Sequence, residues 1–118
     1  MSDELKDRIL YLIKQRTPER PISSVDIWEI VKGDLNGQNR EQFRGDLRGF
    51  INEFRQGGIR ILADSRGYWL AQSDEEVFQY IKRLTHRWLE IKKALDGLKR
   101  TIPKDRWTEE LFKEEIKC

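Results

Sequence analysis

A chain of 118 residues, 37% charged and 37% hydrophobic, has room for one domain with an appended element and reads as folded and highly helical. Its net charge of +2 makes no whole-protein case for nucleic acid, so any such case rests on where the charges lie. No apolar run is long enough to span a membrane, the start Met1-Ser2-Asp3-Glu4 is acidic where a secretory signal is basic, and the single Cys118 excludes an internal disulfide or thiolate cluster; a reducing cytoplasm is the expected setting.

Apolar residues at Leu5, Ile9, Leu12 and Ile13 make one stripe of a helix from Asp3 to Arg16. Thr17-Pro18 ends it, because the residue before proline is pushed out of helical geometry. Pro21-Ile22-Ser23 is a candidate for a very short strand. Ser23 opens a capping pattern with Asp26; Val25, Trp28 and Val31 follow at helical spacing, and Gly33 stands where a left-handed C-cap is expected. Asn36-Gly37 signals a turn. Asn39, with Gln42 three residues on, starts a third helix over 39–56 whose expected buried stripe is Phe43, Leu47, Phe50, Ile51 and Phe54, and Gly57-Gly58 stops it.

The apolar period then changes from 3.6 to 2. Ile59-Arg60-Ile61-Leu62 and Tyr68-Trp69-Leu70 flank the polar turn Asp64-Ser65-Arg66-Gly67, which predicts a hairpin over 59–71. Ser73 with Glu76 opens a long helix over 74–100, Pro103 breaks it, and 104–117 reads as a short amphipathic helix carrying Trp107, Leu111 and Ile116. The fold class is therefore mainly α with a small β-hairpin. Three helices followed by a hairpin wing is the winged helix-turn-helix order, expected over 1–72, with a C-terminal helical extension over 73–118.

The run Leu47-Arg48-Gly49-Phe50-Ile51-Asn52-Glu53-Phe54-Arg55-Gln56-Gly57-Gly58-Ile59, followed through Ser65-Arg66-Gly67 by Tyr68-Trp69-Leu70-Ala71, resembles small winged-helix proteins encoded by phages and prophages. That resemblance covers about Ser23 to Leu98. It implies a DNA-binding winged helix in a bacterial host cell and brings no characterised reaction. Arg60 departs from the group's pattern, which has a proline or small residue there.

The third helix carries the strongest functional signal. Arg40, Arg44, Arg48 and Arg55, with Asn52 among them, recur at steps of three or four residues, on the face away from the apolar stripe. Between Gln38 and Gln72 there are six arginines and no lysine, whereas lysine outnumbers arginine 10 to 7 elsewhere. Planar bidentate donors suit phosphate and base edges, and the second helix of a helix-turn-helix enters the major groove. Arg40, Gln42, Arg44 and Arg48 are the expected base readers; Asn52 and Arg55 are placed for phosphate. In the wing, Ser65, Arg66 and Tyr68 suit contact with the backbone or minor groove. The competing reading is a solvated helix face held by pairs such as Glu41 with Arg44.

In the long helix, Val77, Ile81, Leu84, Trp88, Ile91, Leu95 and Leu98 are spaced 4, 3, 4, 3, 4, 3, a heptad seam. Its flanks hold Arg87, Lys92 and Lys99 and no acid, so an acidic neighbour is expected, and Glu109, Glu110, Glu114 and Glu115 are available after Pro103. The expectation is a homodimer through the C-terminal helices, with Trp107 and Leu111 as anchors; the alternative is a seam that only covers its own core. Catalysis is not expected: His86 is the single histidine, with no cysteine-histidine pair, glycine-rich phosphate loop or metal-ligand spacing, and no cofactor or metal is called for.

The expected function is a DNA-binding regulator or accessory protein acting on double-stranded DNA. The alternative is a winged helix used for protein–protein contact, as an adaptor or inhibitor of a host replication or transcription protein.

Overall fold

The first backbone N–H groups of a helix lack intrahelical partners, and four side-chain caps supply them in this chain. A computed structural model of the chain describes residues 2–104. In it, Ser2 caps α1 (Asp3–Lys14), Ser23 caps α2 (Ser24–Val31) and Asn39 caps α3 (Arg40–Gln56). Ser73 accepts from the Glu76 N–H at 3.2 Å and opens α4 (Asp74–Lys99). At α3 the cap is reciprocal. The Gln42 N–H donates to Asn39 Oδ1 at 2.8 Å, and the Asn39 N–H donates to Gln42 Oε1 at 3.1 Å.

The far end of α3 closes by a Schellman arrangement. The Ile59 N–H reaches the Phe54 carbonyl at 2.9 Å and the Gly58 N–H reaches that of Arg55 at 3.0 Å. This places Gly58 at φ +90°, where a side chain is strained. Phe54 and Ile59 then both pack against the core.

That core is built from three helices and the hairpin. Leu5, Ile9 and Ile13 of α1, Ile27 and Val31 of α2, and Phe43, Leu47, Phe50 and Ile51 of α3 are buried, joined by Ile22, Leu35 and Ile61. The Trp28 and Phe43 rings meet at 5.6 Å between centroids, tilted by 50°. The hairpin pairs β1 (Ile61–Asp64) with β2 (Gly67–Leu70), antiparallel, with Asp64 opposite Gly67 and Ser65-Arg66 as the loop. The predicted short strand is a single bridge: Ile22 exchanges two backbone hydrogen bonds with Tyr68, each 2.8 Å. The order of elements is that of a winged helix-turn-helix, mainly α with a hairpin wing.

Two details differ from the sequence expectation. In α2 the buried positions are Ile27 and Val31, while Val25 is exposed and Trp28 half-buried. This eight-residue helix carries apolar residues on several sides, so its inward face is selected by Phe43 and α1 rather than by its own spacing. Gly33 is no left-handed cap: α2 runs into a 3-10 turn, Lys32–Asp34, and the left-handed residues are Asn36 and Gly37.

Packing divides the chain within α4, into units 1–78 and 79–118. No residue of α4 is buried. No helix of the described residues is long and apolar enough to cross a membrane.

Gly67 and Gly45 make a matched pair for stability. A Cβ on Gly67 would lie 2.3 Å from the Ile22 carbonyl oxygen, whereas one on Gly45, inside α3, meets nothing within 4 Å. Gly67→Ala is expected to cost about 2 kcal/mol or more, and Gly45→Ala to stabilise by about 0.5–1 kcal/mol. Shifts in denaturant midpoint at constant m-value check both.

Candidate nucleic-acid interface

Helical spacing gives α3 three sides, and the structure assigns each of them a different environment. The apolar side is the core face. A second side carries Gln38's partner Asp46, bonded at 2.6 Å, and Glu53, paired with Lys6 of α1 at 3.2 Å. Lys6 also stands 5.0 Å from the Phe50 ring centroid, so the acid is tied to a cation that is itself seated on the core. The third side presents Arg40, Arg44, Arg48 and Asn52, all exposed and without a side-chain hydrogen bond or ion pair to another described residue. Glu41 is exposed near them.

Two of the expected α3 residues have defined intramolecular partners. Arg55 is half-buried and donates from Nε to the Ile61 carbonyl at 2.8 Å, joining the last turn of α3 to β1. Gln42 spends its amide oxygen in the cap of α3. Gly45 and Gly49 have no part in the sequence expectation. Both lie in the middle of α3 with open space where a side chain would be. No intramolecular packing accounts for them, and each costs a helix interior about 1 kcal/mol relative to alanine. Their signal in the sequence was the repeat Arg44-Gly45 and Arg48-Gly49, one turn apart.

At the wing tip Ser65 is exposed. Arg66 is committed: Nη2 donates to the Pro18 carbonyl and to Asp64 Oδ2, both at 2.8 Å, and Nε reaches the same carboxylate at 3.1 Å. The Tyr68 ring packs on the core and its backbone pairs with Ile22. Trp69 is buried, with its indole N–H on Glu76 Oε1 at 2.6 Å. A second oxygen of Glu76 accepts from the Gln72 N–H at 2.8 Å, so one carboxylate closes both the wing and the start of α4. Arg60, the departure from the phage-protein pattern, pairs with Asp74 at 2.5 Å.

The apolar seam of α4 is open. Ile81, Leu84, Trp88, Ile91, Leu95 and Leu98 are 41–66% exposed, and only Val77 is half-buried. Phe78 and Leu89 add to the exposed apolar surface of this helix. Glu109 to Glu115, with Trp107 and Leu111, lie outside the described residues. Among the described residues no three His, Cys, Asp or Glu side chains come together as a metal-holding group. The chain matches no family model, no curated protein and no solved structure at a significant level.

The Asp64–Arg66 pair titrates in a readable way. The Arg66 side-chain hydrogen bond is the largest influence and holds the Asp64 carboxyl below its ordinary value. Desolvation opposes it, and the backbone N–H groups of Arg66 and Gly67 add to the lowering. Asp64 in turn holds Arg66 above its ordinary value. With a depressed folded-state pKa, the stabilisation from Asp64 is present above the ordinary carboxylate pKa and is lost as the pH falls through the lowered one. Solvent screening keeps that contribution small. Arg66→Ala should return the Asp64 titration, followed by carboxyl NMR shifts, upward towards the ordinary value. An unmoved titration would assign the lowering to the backbone donors.

Proposed function

We propose that this chain is a DNA-binding regulator or accessory protein, in the phage setting implied by its wing motif. In this reading it lays α3 in a major groove and binds as a dimer through its C-terminal helices. The observation that carries the reading is the division of charge on α3. Asp46 and Glu53 are engaged within the molecule, while Arg40, Arg44 and Arg48 are exposed and unpaired among the described residues. Arginine forks match the O6 and N7 acceptors of guanine, and Asn52 on the same side suits a phosphate. Gly45 and Gly49 remove the side chains that would hold a groove wall away from the helix backbone. Net charge stays near zero, so affinity comes from this local stripe rather than from the field of the whole chain.

At the wing, Ser65 is available to a phosphate, and Arg66 reaches one only in competition with Asp64. The exposed seam of α4 supports the dimer in this reading, because apolar surface of that extent on a helix marks an interaction site. A second reading, a winged helix that serves only as an adaptor or inhibitor of a host replication or transcription protein, draws on the same exposed apolar residues and the near-neutral charge. A titration with random duplex at two salt concentrations separates the two, since phosphate contacts make affinity fall steeply with salt. Salt-independent or absent binding would favour the adaptor.

Arg44→Ala and Arg48→Ala are each expected to weaken duplex binding by about 1–3 kcal/mol in fluorescence anisotropy with the fold intact. Full affinity in the double variant would remove α3 from the groove. Trp88→Glu is expected to give monomers in light scattering with the winged helix still folded. It should also bind duplex more weakly, because the second half-site is no longer at high effective concentration.

A further inference from the structure

Resting on the dimer reading above, we infer that the occupant of the α4 seam is α4 of a second copy running antiparallel, in the register that sets Ile81 against Leu98, Leu84 against Leu95 and Trp88 against Ile91. The seam's exposure selects that register. Val77 is already half-buried, whereas the other six seam residues are all exposed, and an antiparallel pair centred between Leu89 and Glu90 uses those six and leaves Val77 out. Each layer then joins one a position to one d position. A register shifted by one heptad would consume Val77 and leave Leu98, 66% exposed, unmatched.

Charge separates this arrangement from the parallel one. With Ile81, Trp88 and Leu95 at a, the flanking e positions are Phe78, Thr85, Lys92 and Lys99, and the g positions are Tyr80, Arg87 and Ala94. Parallel helices bring g of one chain to e of the other, which opposes Arg87 to Lys92 twice by symmetry. Like charges at that position specify against the pairing. Antiparallel helices bring e to e and g to g. In the chosen register Lys92 faces Thr85, Lys99 faces the exposed Phe78 ring and Arg87 faces Ala94, so no cation meets a cation. Lys92 already sits 5.6 Å from the Trp88 ring centroid of its own helix, a position that shields it from the partner's flank. A shift of one heptad would instead oppose Arg87 to Arg87.

Bulk points the same way. A parallel in-register pair stacks Trp88 on Trp88 in one layer, beside layers of paired leucine and isoleucine, and overfills it. The antiparallel pair gives each indole an isoleucine. Antiparallel macrodipoles also attract where parallel ones repel.

The test uses the full chain with Cys118→Ser, which leaves no other thiol. That protein should be a dimer by light scattering. Leu84→Cys and Leu95→Cys, each added to it separately, should show no disulfide-linked dimer under mild oxidant, and an equimolar mixture of the two should link. Ile81→Cys with Leu98→Cys is a second pair for use if the first fails to fold by circular dichroism. Self-linking of any single variant would overturn the antiparallel direction. A dimer whose mixed variants do not link would overturn the register or the seam itself, and leave the C-terminal residues of the second chain as the occupant. A monomer would overturn the proposal together with the dimer reading. Duplex binding is measured on the same Cys118→Ser protein, and its absence while light scattering still shows a dimer would count against the α3 reading and leave the linking result interpretable.

Discussion

Two backbone hydrogen bonds between Ile22 and Tyr68 join the loop ahead of α2 to the second strand of the hairpin, and most of the winged helix is arranged around them. A two-stranded hairpin is marginal alone, and this one gains a third edge at a single residue. The approach is so close that only glycine fits at position 67, with its neighbour Tyr68 turned onto the core. Once β2 is fixed there, Ile61 enters the core from β1, Trp69 is buried, and Arg66 reaches back to the Pro18 carbonyl. From the other side Arg55 bonds to the Ile61 carbonyl, so α3 and the hairpin hold a set relation. Under the proposed function, α3 and the wing need that relation to engage DNA together.

The same economy shapes the charges of α3. Two of the three acids of α3 are placed where the molecule has a use for them, while Glu41 stands exposed near the arginines. Glu53 meets Lys6, and Asp46 holds Gln38 beside the cap. The arginines on the neighbouring side have no such duty, and exposed unpaired guanidinium groups add nothing to the stability of a monomer. Gly45 and Gly49 lower helix stability and fill no tight space. Departures from locally favourable sequence without an internal compensation are expected at functional surfaces.

Much of this fold was legible in the chain because its signals are local. Ser23, Asn39 with Gln42, and Ser73 each stand one residue before a helix, and the cap chemistry acts within three residues. The hairpin was legible from its change of period, and the α3 core stripe from its spacing. What was not legible depends on partners distant in sequence. Arg66 reads as a free cation until the turn folds it onto Asp64 and the fold brings Pro18 beside it, and Arg55 reads as one until the chain reversal after α3 sets Ile61 against it. The spacing of Val25, Trp28 and Val31 does not single out Ile27, because α2 has apolar residues at five of eight positions and only its neighbours decide which of them turn inward. Gln42 shows a different difficulty: the capping box and base reading both claim one amide, and the cap takes its oxygen.

The long helix shows how far a periodic signal reaches. A strict heptad states that one face is apolar, and it says nothing of what covers that face. In the described residues nothing buries it: α4 has six seam residues exposed past Val77, a helix too amphipathic to be a linker. In the proposed pairing the cations on its flanks discriminate among partners, because they would penalise a parallel copy and tolerate an antiparallel one. Winged-helix readers on separate chains gain specificity when a dimer fixes the distance between two half-sites. In the proposed antiparallel pair the two-fold axis passes between Leu89 and Glu90 of both copies. A site with inverted half-sites is the DNA symmetry that matches such an axis, so under the proposed function the charge pattern of α4 would bear on the form of the site as the arginines of α3 would bear on its bases.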